Sequence, residues 1–244
     1  MRLIAAFSDP WSFLVSQRVD RCQEFARQVS WCMVTVDPHR PLGGIPLDEG
    51  TATAVRAQAF AGEMVPEPGI RRPNGGPATA AYAEAEIDGL AAPMRRALFE
   101  AIWRDHLTVD DPNVLRLLVA RVYAAHPEVF DPHPRSVLGD WSVRLAARRQ
   151  GLVVSMAGGP LSDEAHRKVR RWQLEWDSLG RPELPVLLAK DGMLTGASVL
   201  EFLVELCAPA FVTSETENPG RGGETSGVDS EASESARESA LVSA

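Results

Sequence analysis

Apolar runs and helical patterns alternate at the start of the chain. Residues 3–7 are apolar and are followed by Ser8, Asp9 and Pro10. This pattern predicts a buried strand that leads directly into a helix, with Asp9 as its N-cap and Pro10 at its first position. Residues 29–36 are mostly apolar on both alternating faces, which predicts a strand covered on both sides. Strand, helix and strand in this order predict a parallel pair with a right-handed crossover.

The middle of the chain has helical patterns between loops that are rich in proline and glycine. The patterns cover residues 51–60 and most of 78–122, and Asp111 with Pro112 marks the start of one helix. The apolar stripe that we predict for that helix consists of Val114, Leu117, Leu118 and Val122. A helical insertion therefore follows the first two strands.

Strand patterns return after the insertion. Ser162 caps a long charged helix, and the apolar residues 184–189 predict a strand with Pro185 near its start. Asp191-Gly192 is typical of a two-residue hairpin turn, and an apolar helix follows it. The whole order predicts a mixed sheet with helices packed on it, which is an α/β fold.

Composition and charge argue against some classes of binding partner. The net charge of −8 is concentrated in residues 213–244, where seven acids against two arginines contribute −5. That segment has few large apolar side chains, and we expect it to be disordered. No basic patch predicts a nucleic-acid partner and no stretch is long enough to span a membrane. The short apolar start does not resemble a secretory signal, so we expect a soluble, cytoplasmic protein.

Cysteine and histidine offer little chemistry of their own. The three cysteines, Cys22, Cys32 and Cys207, form no Cys-x-x-Cys pair and lie in apolar stripes, which favours inert buried thiols. The five histidines show no metal-ligand spacing, so no metal site is expected.

Several local strings resemble the family of DsbA-type oxidoreductases, 2-hydroxychromene-2-carboxylate isomerases and kappa-class glutathione transferases. The run from Ser8 to Ser12, with Pro10 and Trp11, is similar to the active-site turn that reads Cys-Pro-Trp-Cys or Ser-Pro-Tyr-Ser in those proteins. Leu184-Pro185 resembles the family's segment with a cis-proline. The resemblance implies a thioredoxin-like fold with an inserted helical domain and a disordered C-terminal tail. The implied boundaries are 1–45 with 152–212 for the thioredoxin-like domain, 46–151 for the insertion and 213–244 for the tail.

The resemblance also implies where chemistry would occur. Asp9 and Ser12 replace the two cysteines, so a dithiol cycle is impossible and these two residues become the catalytic candidates. The ligand-binding candidates that it implies are Ser8, Pro10, Trp11, Leu184 and Pro185. No covalently bound cofactor is expected.

The sulfur would come from glutathione or another small thiol, which with its substrate is the expected partner. The predicted fold also allows the protein to form a homodimer. At a helix N-terminus we expect Asp9 to have a lowered pKa and to repel a thiolate. The alternative is a non-catalytic binding or scaffold protein that has kept the fold.

Overall fold

The computed structural model describes residues 1–127, 143, 146–190 and 192–212, the last six of them by their backbone. Asp191 of the predicted hairpin turn, the side chain of Cys207 and the predicted tail at 213–244 lie outside the described residues.

A four-stranded mixed sheet contains strands from both ends of the described chain, in the order β2-β1-β5-β6. Its strands are β1 (Arg2–Ala5), β2 (Ser30–Met33), β5 (Val186–Ala189) and β6 (Gly192–Thr195). The strands β1 and β2 are parallel, as predicted for the strand-helix-strand unit, while β5 is antiparallel to both β1 and β6. A separate two-stranded sheet is formed by β3 (Ile45–Pro46) and β4 (Arg71–Arg72).

The helices are α1 (Pro10–Arg21), α2 (Gln23–Gln28), α3 (Glu49–Gln58), α4 (Gly76–Ile87), α5 (Ala91–Trp103), α6 (Pro112–Ala125), α7 (Asp163–Ser178) and α8 (Ala197–Val212). Helices α3 to α6 lie in the chain between β2 and β5, which confirms the helical segment expected there. The N-caps predicted for α1, α6 and α7 are confirmed as Asp9, Asp111 and Ser162.

The apolar stripe predicted for α6 is wrong at one of its positions. Leu118 and Val122 are buried, but Leu117 is 70% exposed. Leu115, Val119 and Tyr123 complete the buried face instead. The reason is that α6 packs against α4 and α5, so these neighbours select its buried face.

One continuous core joins the sheet to the inserted helices. Phe7, at the end of β1, is fully buried, and its ring centroid lies 4.9 Å from that of Phe99 and 6.0 Å from that of Tyr82. The indole N–H of Trp103 donates a hydrogen bond to the Phe7 carbonyl at 3.0 Å. Helices α4 and α5 therefore hold the end of β1 in place, and α1 starts from that fixed point.

Candidate functional site

The predicted site lies at one edge of the sheet. The chain leaves the carboxyl ends of the parallel strands β1 and β2 at this edge. In the antiparallel pair, Ile4 is opposite Val186, so Pro185 comes next to the end of β1 from which the Ser8 turn departs. The Leu184–Pro185 bond is cis, as predicted.

Asp9 and Ser12 are in direct contact. Asp9 Oδ2 accepts hydrogen bonds from the backbone N–H of Ser12 at 2.7 Å and from its hydroxyl at 2.6 Å. The Ser12 hydroxyl oxygen accepts in turn from the backbone N–H of Ala6 at 3.3 Å. Ser12 is fully buried and donates its single hydroxyl proton to Asp9. It is therefore placed to hold Asp9 in position.

The pKa expected for Asp9 is wrong in direction. Asp9 as a whole residue is partly exposed, but desolvation of its carboxyl raises the pKa from 3.8 to about 6, and this effect exceeds the lowering by the hydrogen bonds from Ser12 and by the charge of Arg72. The helix N-terminus alone would lower the pKa of Asp9, as predicted from sequence. Desolvation by the surrounding fold disfavours the charged form and has the larger effect. Asp9 can therefore gain or lose a proton near neutral pH.

The other candidates line this turn with different exposure. Ser8 is 5% exposed and lies against Gly75, since a Cβ atom placed on that glycine would be 3.6 Å from the Ser8 Oγ. Pro10 and Pro185 are buried, Leu184 is 7% exposed, and Trp11 is partly exposed. All of these candidates except Trp11 are thus buried.

Sequence reasoning missed two arginines, of which Arg72 acts on Asp9 and Arg40 lies within electrostatic range of Arg72. Arg72, on β4, is close enough for its charge to lower the pKa of Asp9. Its Nε is buried and has no hydrogen-bond partner among the described residues, and the same holds for Arg40 Nε. Arg40 donates to the Pro73 carbonyl at 3.4 Å and lies 3.8 Å from Asp37. The charge of Arg72 comes near Asp9 only because β3 and β4 fold together, so no local sequence signal predicts its position.

A cleft of about 1280 Å³ lies beside this turn. Its walls come from the loop after β2, the start of α4, α6, the segment around residues 151–160, and α7. None of the residues predicted for the site is among the described residues that line it. The cleft adjoins the turn through Gly76, which lines it and follows the Gly75 that packs on Ser8.

Cysteine and metal chemistry find little support in the described residues. Cys22 and Cys32 are free thiols, and burial raises the pKa of Cys32 to about 12, as suits an inert buried thiol. Cys22 is partly exposed. Within residues 1–127 and the described parts of 143–212, no cluster of three or more His, Cys, Asp or Glu is placed to hold a metal. No helix in the same part of the chain is long and apolar enough to cross a membrane.

Comparison with known proteins identifies the fold. No family model matches the chain. No curated protein matches it. Among solved structures, the cytosolic disulfide reductase DsbM from Pseudomonas aeruginosa is similar, with a TM-score of 0.51 at 16% identity over 88% of this chain and 98% of DsbM. A second DsbM structure, with GSH, has a TM-score of 0.47 at the same identity and coverage. The first similarity confirms the DsbA-like thioredoxin fold.

Proposed function

We propose that this protein is a thiol-dependent isomerase or transferase that uses a bound small thiol in place of its own cysteines. The observation that carries the proposal is the Asp9 carboxyl, which two hydrogen bonds from Ser12 hold at the N-terminus of α1 and whose pKa burial raises to about 6. A group that titrates near neutral pH, on a thioredoxin fold and beside a cis-proline, is suited to proton transfer.

The chain's own residues argue against dithiol exchange. Such a cycle needs a thiolate nucleophile and a second thiol, and Asp9 and Ser12 supply neither. Cys32 is buried and its pKa is raised, and Cys22 lies at the opposite end of α1 from Asp9, so neither of them can replace these two residues. If the protein acts on thiols, the sulfur must come from a ligand.

Asp9 has the properties of a general base for such a ligand. Above about pH 6 it is ionised and can accept a proton, and once protonated it can donate a hydrogen bond. Both hydrogen bonds from Ser12 end on Oδ2, which fixes the carboxyl in orientation. The N-terminus of α1 and Arg72 supply positive potential for a neighbouring anion.

The residues present fit a small anionic thiol. The buried Nε of Arg72 lacks an acceptor, and a ligand anion would provide one. Glutathione or another small thiol would supply the nucleophilic sulfur that the chain lacks. We propose that Ser8, Pro10, Trp11, Leu184 and Pro185 form the walls around it.

Calorimetry with glutathione and its S-methyl derivative tests the proposal. We expect glutathione to bind and its bound thiol to ionise more readily than in solution. In wild type the proton of the bound thiol passes to Asp9, so Asp9→Asn should increase the number of protons released to the buffer on glutathione binding at pH 7, because this acceptor is removed. Arg72→Gln should weaken binding by about threefold to tenfold, the worth of one charged hydrogen bond.

The matched control is Arg71→Gln in the same hairpin. The Arg71 guanidinium donates to the carbonyls of Gly43 and Gly44, so its loss should leave thiol affinity unchanged. Absence of binding at millimolar glutathione and cysteine would refute the proposal.

We further propose the cytoplasm as the compartment. Small thiols are kept reduced there. Cys22 and Cys32 carry free thiols, which agrees with a reducing environment. The proposed partners are the thiol and its substrate.

A second candidate is a binding protein that has kept the fold without thiol chemistry. The observation in its favour is the burial of Ser8 and Ser12, which leaves these two hydroxyls little surface for contact with a ligand. The large cleft nearby is lined by other residues and would be its binding site. For this candidate, thiols should not raise the melting temperature, whereas a ligand of the cleft should.

A further inference from the structure

The large cleft is lined by both apolar and charged side chains. Apolar side chains in its lining include Val36, Leu115, Leu152, Val154 and Leu174. Its volume of about 1280 Å³ is sufficient for a drug-sized molecule. Charged and histidine residues of the described lining other than Asp110 are exposed: Asp37, His39, Arg116, His166, Arg170 and Arg181.

Asp110 is the exception to this arrangement. It lines the cleft and is only 2% exposed. Its Oδ2 accepts hydrogen bonds from the backbone N–H groups of Gly43 and Asn74, both at 3.1 Å. Its Oδ1 is buried and has no hydrogen-bond partner among the described residues. A buried carboxylate oxygen without a donor is unfavourable, and such an atom in a cleft indicates that a ligand supplies the donor.

Neighbouring cations do not neutralise Asp110 by contact. Within the described residues Asp110 forms no ion pair, and Arg40 lies near Asp37 instead. Arg116 donates its Nε–H to the Gln150 carbonyl at 2.8 Å, and Arg181 is paired with Asp177 at 2.8 Å. The exposed charges of the lining are screened by water, so the buried Asp110 carboxylate determines which polar group the cleft prefers.

We propose that this cleft binds a small apolar molecule that carries an amine, and that Asp110 recognises the ammonium group. A carboxylate only accepts hydrogen bonds, so its partner must be a donor, and a positively charged donor gives the strongest bond. The apolar walls account for the rest of the ligand. Nothing in this proposal requires a thiol, so it is independent of the chemistry proposed at Asp9.

Three probes of matched size test the proposal by calorimetry on the full-length protein. They are phenethylamine, phenethyl alcohol and phenylacetate. We expect the amine to bind about tenfold or more tighter than the alcohol, as one charge-assisted hydrogen bond predicts, and phenylacetate to bind most weakly. Asp110→Asn keeps an acceptor for the Gly43 and Asn74 amides but removes the charge. It should weaken amine binding by about tenfold and leave the alcohol unchanged.

The matched control is Asp37→Asn, which removes an exposed carboxylate from the same lining and should not change amine affinity. The proposal is overturned if the amine and the alcohol bind equally to the wild-type protein, as when only a water molecule satisfies Asp110. It is also overturned if Asp110→Asn binds the amine normally. Should that variant fail to fold, the three-probe comparison on the wild-type protein decides alone.

Discussion

Asp9 and Asp111 occupy matching positions in the sequence and differ in their surroundings. Each is a helix N-cap followed by proline, and each accepts a hydrogen bond from a backbone N–H, at 2.7 Å from Ser12 and at 2.8 Å from Asn113. Asp111 is exposed, whereas burial of Asp9 raises its pKa to about 6. The same local motif can therefore serve as a simple cap or as an acid–base group, and tertiary burial decides which.

Replacement of Asp9 by asparagine should make stability depend less on pH. The folded state binds the Asp9 proton more tightly than the unfolded chain, because the pKa rises from 3.8 to about 6. The stability that this protonation contributes is present below pH 3.8 and is lost as the pH rises through about 6. Asparagine cannot ionise and still caps the helix, so Asp9→Asn should be more stable than wild type above pH 6 by about 1–3 kcal/mol.

Denaturant unfolding at several pH values measures this difference. The advantage of Asp9→Asn should vanish below about pH 4, where both side chains are neutral. Asp111→Asn is the control, since an exposed N-cap should show a much smaller pH dependence. A variant that is less stable than wild type at pH 8 would contradict the buried, ionisable Asp9.

The sequence was sufficient to predict some features of the candidate site and insufficient to predict others. The Asp9 cap was predicted from its neighbours in the chain, whereas the cis-proline at 185 was predicted with the help of the family resemblance. The pKa of Asp9 and the approach of Arg72 depend on residues about sixty positions apart, so no local pattern contains them. Asp110 was passed over for the same reason, because its burial arises from Gly43 and Asn74.

At the scale of elements, α1 is held by a buried ion pair. Arg18 is 1% exposed and donates to Glu63 Oε1 at 2.8 Å and to Oε2 at 3.0 Å. It also donates to the carbonyls of Gln58 and Leu200, which ties α1 to the end of α3 and to α8. Helix α1 ends at Arg21, and α2 follows it after Cys22.

Removal of one partner of this pair should be costly. Arg18→Leu leaves the Glu63 carboxylate buried without its main partner, and we expect a loss of about 3–5 kcal/mol. The double variant Arg18→Leu with Glu63→Leu should recover much of this loss, because no unpaired charge remains. Arg104→Leu is the control, since its ion pair with Glu100 is exposed and is worth about 1 kcal/mol or less.

Thermal or denaturant unfolding measures all three variants. A double variant as unstable as Arg18→Leu would show that the arginine acts by packing rather than by charge.

In the molecule as a whole, the inserted segments between β2 and β5 supply charged residues of the two proposed sites that the sheet itself does not contain. The parallel strands β1 and β2 bring the Ser8 turn and the loop at residues 35–39 to one edge. The segments between β2 and β5 then place Arg72 near Asp9 and Asp110 in the wall of the cleft. The order of elements was enough to predict a mixed sheet with helices packed on it, and the family resemblance added the thioredoxin-like arrangement. The packing of the insertion depends on contacts distant in sequence, and its boundaries at 46–151 stay a prediction.

Titration of Asp9 by carbon-13 NMR tests directly whether this carboxyl has a raised pKa and shares a proton with a bound thiol. The Asp9 carboxyl signal is assigned by its absence in Asp9→Asn and followed against pH, with and without glutathione. We expect a midpoint near pH 6 in the free protein and a clear change in that midpoint when the thiol is bound, because the two groups compete for one proton. A midpoint near that of an ordinary aspartate, or one that saturating glutathione leaves unmoved, would contradict this expectation.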